Sequence, residues 1–337
     1  MTNSSRYGCL SLVLLAVLLV SLLLNLLLMA GKGTHSSLVK TAPKFEEETL
    51  VAPRTGEDGA EAKIAQISLR GIITSAEPGT LGETMVDDLK LQLKQAVADD
   101  KVKSIVLYVD SPGGEVTASD TIYQAVKAAR AKKPIVVYMG SLAASGGYYV
   151  ACGGNHLIAN ETTFTGSIGV IMQSFHYKTL LDKVGLEVIT FKSGKLKDML
   201  SGSRDLTDEE KVYTQGLIDQ TYGKFVGIVA KERKLDEAAL RAGIADGRVV
   251  SGVDALKAKL IDGTGSVEDA YEKAMELGHA KGAAVIKYES GLKLGKLLKL
   301  LGKSDAAGGK VEVNLSSGLL PKLEAGRLYY LPAFLAP

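Results

Sequence analysis

Two short stretches of this 337-residue chain hold residues whose types and spacing suit covalent chemistry. The first is Gly140-Ser141-Leu142-Ala143-Ala144-Ser145-Gly146-Gly147-Tyr148-Tyr149, a serine set among residues small enough to let a substrate backbone approach. The second is Ser193-Gly194-Lys195-Leu196-Lys197-Asp198, which offers lysines. A serine hydroxyl is a weak nucleophile until a base takes its proton. Histidine is the usual base, and the chain has four: His35, His156, His176 and His279. None sits in a glycine-rich turn, although partners of a triad meet in space and not in sequence, so that option stays open. A G-x-S-x-G elbow is absent, because Ala143 stands where its first glycine would be. The S-x-x-K spacing also fails at Ser145, where the third residue on is Tyr148. A neutral lysine can serve as base when its surroundings lower its pKa toward the working pH. Lys195 and Lys197 are the candidates, against the alternative that both are solvated loop lysines.

The elements that must position these residues follow from hydrophobic pattern. Ile64 to Leu69 alternates like a strand, and Met85 to Val97 has helical spacing. Ser104 to Val109 is a nearly continuous apolar run, as buried parallel strands are. It ends at Asp110-Ser111-Pro112-Gly113-Gly114. A helix over about 118–131 and a strand over 134–139 come next. Strand, helix, strand in this order predicts right-handed βαβ units and a parallel sheet with covering helices. Ligands of such sheets bind beyond the carboxyl ends of the strands. Both glycine-rich turns fall there. Further strands are expected at 156–159, 169–172 and 187–191, and a helix at 178–184. Thr207 with Glu210 reads as a capping box opening a long helix to about Arg233. Helices near 252–260 and 266–277 follow.

Four motifs stand in register: Asp110-Ser111-Pro112-Gly113-Gly114, the serine stretch, Thr165-Gly166-Ser167-Ile168-Gly169-Val170, and Ser193-Gly194-x-x-Lys197-Asp198. Together they resemble the membrane-bound signal peptide peptidases of the A type, in their short bacterial form. Asp246-Gly247-Arg248-Val249 fits the same pattern, and the resemblance covers about 60–290. It implies an α/β fold of the Clp-protease/crotonase type, with repeated ββα units and a mostly parallel sheet. It implies Ser145 as nucleophile, Lys197 as general base and Ser167 as the residue orienting the lysine. Backbone amides of Gly113 or Gly114 and of Gly146 are the candidates for the oxyanion hole. It also implies a homo-oligomeric ring, with Ser145 and Lys197 paired either within one chain or between neighbouring subunits, apolar peptides such as remnant signal peptides as substrates, and a catalytic domain outside the cytoplasmic membrane.

The rest of the chain sets limits. Forty basic residues against 38 acidic ones, with no tryptophan, give no footing for a nucleic-acid partner. Cys9 and Cys152 make neither a disulfide framework nor a zinc spacing, and no metal or organic cofactor is called for. After a short tail over 1–8, residues 9–30 carry no charge and are mostly leucine. As a helix that run reaches roughly 30 Å, the thickness of a bilayer core. It is longer than the apolar core of a cleaved signal peptide, so one N-terminal transmembrane anchor is expected. Residues 31–60 read as a flexible stalk and 61–290 as the catalytic domain. Residues 291–337 hold a basic amphipathic stretch, Leu292 to Leu301, and an apolar tail. Leu319-Leu320-Pro321 and Leu328-Tyr329-Tyr330-Leu331 look like the peptides such an enzyme accepts, so the tail is expected to occupy the active-site groove or be trimmed. Two other readings are a crotonase-type acyl-CoA enzyme and a non-catalytic membrane scaffold.

Overall fold

The structure, a computed structural model, describes residues 18, 20–22, 45–57, 59–75, 84–290 and 329–330. The chain divides into two units, Met1–Pro43 and Lys44–Pro337. Of the expected anchor only Leu18 and residues 20–22 are described, and they are helical and exposed. Among the described residues no helix is long and apolar enough to cross a membrane. The amphipathic stretch 292–301 lies outside the described residues, as does the tail apart from Tyr329 and Tyr330.

The second unit is a mixed α/β domain built on one mostly parallel sheet. Its strands are β1 (Phe45–Val51), β2 (Lys63–Arg70), β3 (Val102–Ser111), β5 (Ile135–Ala144), β6 (His156–Ala159), β7 (Phe164–Gly166), β8 (Val249–Ser251), β9 (Gly263–Thr264) and β10 (Ala284–Ser290). The order is β1-β10-β2-β3-β5-β6-β9, with β7 continuing beside β5 and pairing β8. Among the described residues of this sheet, only β1 with β10 and β7 with β8 run antiparallel. A second, two-stranded sheet joins β4 (Gly114–Glu115) to β11 (Tyr329–Tyr330).

The continuous apolar runs are central strands buried on both faces. On β3, Ile105, Leu107 and Val109 share a core with Leu89 and Leu93 of α1 (Met85–Ala98) and Ile122 and Val126 of α2 (Val116–Arg130). Val106 on the opposite face packs with Ala270 and Ala274 of α8 (Val267–Leu277). β5 alternates the same way, with Val137 in the first cluster and Val136 in the second. Both strands are therefore fixed in register by two cores at once.

Three expectations need correcting. The stalk was expected to run through residue 60, yet Phe45–Val51 is an edge strand. Only Phe45 is buried, and the backbone pairing with β10 carries the rest. Its glutamates are placed outward, where Glu47 meets Lys63 at 2.6 Å and Glu48 meets Lys287 at 3.1 Å. Charged side chains are what edge strands commonly display. Residues 187–191 form no strand: Val188, Ile189 and Phe191 are exposed and no neighbouring edge pairs with them. Residues 169–172 reduce to a single bridge, Ile171 with Tyr329. The remaining helices are α3 (Gly146–Ala151), α4 (Lys178–Val184), α5 (Asp208–Arg233), α6 (Glu237–Ala242) and α7 (Gly252–Lys257). α5 opens with the expected Thr207/Glu210 capping box.

Candidate active site

β5 delivers Ser145. The strand pairs β6 along its first half and β7 along its second, and Ser145 follows directly on its end, capping α3. There the backbone turns sharply, with φ 53° and ψ −113°. A residue with a side chain rarely adopts such angles, at a cost on the order of 1–3 kcal/mol. The turn is held by two hydrogen bonds: the Ser145 amide donates to Gly166 O at 2.8 Å, and Ser145 O accepts from the Tyr149 amide at 2.8 Å. The hydroxyl is fully buried and has no hydrogen-bond partner. A buried hydroxyl left unpaired costs stability, and strain combined with that cost is characteristic of reactive groups.

The two glycine turns meet at this point. A side-chain carbon on Gly146 would touch Ser119 Oγ, Gly113 Cα and Gly114 N. One on Gly113, whose φ is 101°, would collide with the Gly146 amide nitrogen and the carbonyl oxygen of Tyr330. So Gly113, Gly114 and Gly146 line one cleft, and a peptide carbonyl lies in it. The Gly113 amide donates to Ser111 Oγ at 3.1 Å, which engages it within its own turn. α3 has only six residues, so its dipole adds little beyond its first amides.

The tail enters this cleft as a strand. β11 pairs antiparallel with β4, Tyr329 opposite Glu115 and Tyr330 opposite Gly114, while Ile171 bridges Tyr329 from the other side. The Tyr330 ring stacks on Tyr149 with centroids 5.0 Å apart and packs against Phe225 at 4.7 Å. Tyr149 in turn donates to Asp120 Oδ1 at 2.7 Å. Burial, then the neighbouring Asp120 carboxylate, push the Tyr149 phenol well above its ordinary pKa. Phe225 and Asp120 escaped the sequence reading, because a helical apolar or acidic residue carries no signal of which cavity it enters.

Lys197 lies elsewhere. It is exposed, on a turn closed by its own amide donating to Gly194 O at 3.1 Å. Within the chain it does not reach Ser145, whose hydroxyl contacts no polar group. The two candidate lysines differ in their partners. Lys195 pairs with Glu209, whereas Lys197 has no carboxylate partner among the described residues. Ser167 is buried at φ 50°, and its amide donates to Arg248 O at 2.8 Å. It stands next to Gly166, the partner of Ser145, and no hydrogen bond joins it to Lys197. No described histidine bonds Ser145 Oγ either: His176 faces Asp205 at 3.2 Å and His156 faces Asp262 at 3.9 Å. His35 lies outside the described residues.

Residues 127–281 match the model of peptidase family S49, and residues 65–163 match that of Clp protease. A protein of Enterococcus faecium named "Putative signal peptide peptidase SppA" is 35% identical over 77% of this chain and 76% of its own length. The chain belongs to peptidase family S49. A protease of Methanocaldococcus jannaschii, itself named only as such, is 42% identical over 60% of this chain and 63% of that one. Protease 4 of Salmonella typhi is 38% identical over 65% of this chain but only 35% of its own length. As an S49 member this protein is a serine-type peptidase of the SppA type. The mostly parallel α/β domain fits the Clp-protease match.

Proposed function

We propose that the chain is a membrane-anchored endopeptidase that cleaves apolar peptides, among them signal peptides after their release, with Ser145 as nucleophile and Lys197 as general base. The buried, unpartnered Ser145 hydroxyl beside a peptide carbonyl carries this reading. The neutral Lys197 amine takes the Ser145 proton as Oγ bonds to the scissile carbonyl carbon. The resulting oxyanion is held by backbone amides at Gly146 and the 113–114 turn. The lysine ammonium then gives its proton to the departing amine, and water hydrolyses the acyl-enzyme by the same route in reverse. Substrate lies as a strand on β4, in the manner of Tyr329–Tyr330, and recognition of this kind draws on main-chain hydrogen bonds.

Lys197 comes to Ser145 from a second copy. Two observations support this: the lysine turn stays apart from Ser145 within one chain, and the segment before it exposes Phe175, Leu180, Val184, Ile189 and Phe191. Apolar side chains displayed together in this way mark a surface that another chain covers. Ser167, next in sequence to the Gly166 carbonyl that accepts from Ser145, receives and orients the incoming lysine. The apolar run 9–30 anchors the protein in the cytoplasmic membrane with the peptidase domain outside. The tail is a resident ligand of the groove, cut after Tyr330 by the active protein. Mass spectrometry should then find chains ending at Tyr330 in the wild type and full-length chains in Ser145→Ala.

The decisive experiment is cleavage of a fluorogenic apolar peptide in detergent by wild type, Ser145→Ala, Lys197→Ala and the two mutants co-expressed. Both single mutants should be inactive, with partial recovery in the mixed oligomer. Full activity of Lys197→Ala would end the dyad assignment. No recovery in confirmed mixed oligomers would place both residues in one chain.

A further inference from the structure

We infer that Arg204 is a positioning residue for Lys197: it occupies the Asp198 carboxylate, so that the amine next to it in sequence is left without an anionic partner. This rests on the assignment of Lys197 as base. Lysine works as a base only when deprotonated, and a free carboxylate within about 4–6 Å would hold it charged, raising its pKa by about 1–3 units. Asp198 follows Lys197 directly, so this turn carries that hazard in its own sequence.

The structure removes the hazard with a closed set of pairs. Arg204 grips Asp198 with two nitrogens, Nε to Oδ2 at 2.9 Å and Nη2 to Oδ1 at 2.7 Å. Lys192 Nζ takes Oδ1 as well, at 2.6 Å. The other edge of the same guanidinium is fixed on Glu210, with Nη1 to Oε2 at 2.9 Å. Glu210 is itself tied down. Its side chain is 2% exposed, and the Thr207 amide at the mouth of α5 donates to it at 2.9 Å. The lysine turn is thereby bolted to the first turn of a 26-residue helix. A planar guanidinium with a fixed fork of donors can bridge two carboxylates in this way, which an ammonium cannot.

The other charges around the turn are paired too. Lys195 meets Glu209, Lys211 meets Asp208 at 2.9 Å, and Asp205 is shared by Lys178 at 3.1 Å and His176 at 3.2 Å. The Arg204 guanidinium, then the Lys192 ammonium, hold the Asp198 carboxyl well below the usual range. Arg204 and the Thr207 amide hold Glu210 at about 2. Both carboxylates stay ionised and engaged at any pH at which the peptidase would work.

The test is the pH dependence of kcat/KM toward the fluorogenic apolar peptide, using the full chain in detergent. Arg204→Gln takes both guanidinium bonds from Asp198 and leaves it the Lys192 contact alone, so the acid limb should move up by about 1 pH unit, lowering kcat/KM about tenfold on that limb. Arg204→Gln with Asp198→Asn removes both charges and should return the limb to its wild-type position. Arg204→Lys keeps the charge without the two-pronged grip; it should shift the limb the same way by less, and it replaces the Gln variant should that one not fold. A folded Arg204 variant that loses rate with an unmoved limb would overturn the inference and leave a merely structural role. Lys197→Ala in the same series separates the two ideas. If it stays active, the base assignment fails; if it is dead while the limb is unmoved in the Arg204 variants, only the role of Arg204 fails.

Discussion

At Ser145 the local cost and the proposed chemistry have one source. The hydroxyl is reachable by a base only because the turn leaves it unbonded, and the turn exists only because glycines on both sides give it room. Gly146 has little slack. An added methyl would press on Ser119 Oγ and on the backbone of the opposite glycine turn at the same time. Gly146→Ala should therefore spread the cleft. Overpacking of this kind costs about 1–3 kcal/mol of stability, while loss of one oxyanion donor costs about 10²–10³ in kcat. The expected outcome is a folded protein with a modestly lower melting temperature and kcat reduced about a hundredfold or more, measured by thermal melt beside peptide hydrolysis. A variant with near wild-type kcat would remove the Gly146 amide from the oxyanion hole.

At the scale of elements, legibility tracked the kind of force involved. Central strands were readable because both faces are buried: Ile105, Val106 and Leu107 have nowhere to show a polar residue. The long helix was readable because Thr207 and Glu210 satisfy its first amides through side chains that the sequence displays. β1 was not, since its pairing is backbone to backbone and its glutamates look like those of a solvated spacer. The cleft around Tyr330 was hidden for another reason. Tyr149, Phe225 and Tyr330 come from three distant stretches, and only the closed fold brings their rings within about 5 Å. The far end of α5 is fixed by a similar long-range contact. Arg233 meets Asp262 at 2.7 Å, and Asp262 also accepts from the Leu157 amide at 2.8 Å. Burial alone would raise the Asp262 carboxyl, but Arg233 and that amide hold it below the usual range. A depressed folded-state pKa adds stability that is present above the unfolded value, about 3.9, and is lost as pH falls through the folded value. Asp262→Asn should thus lower the melting temperature at neutral pH and narrow its gap from wild type below about pH 4. A gap that stays constant with pH would mean that the carboxylate charge contributes nothing.

On the proposed dyad, the two catalytic side chains stand on two surfaces that one chain does not bring together. One is the cleft with Ser145, fully formed and already holding a strand. The other is the arm from Phe175 to Lys197, rich in exposed apolar residues and ending in the charge-locked lysine turn. Phe191 is 94% exposed and Ile189 72%, and in the proposed oligomer these side chains are the ones a second copy covers. Replacing both by aspartate should leave each chain folded, because neither side chain contributes to the core clusters. It should nevertheless dissociate the oligomer, since two desolvated charges in an apolar contact are poorly tolerated. Light scattering after size exclusion would report the mass, circular dichroism the fold, and the fluorogenic peptide the activity. Monomers that are folded and inactive are expected. Folded monomers with full activity would mean that Ser145 finds its base within its own chain, and the arm would then be a docking surface with no part in catalysis.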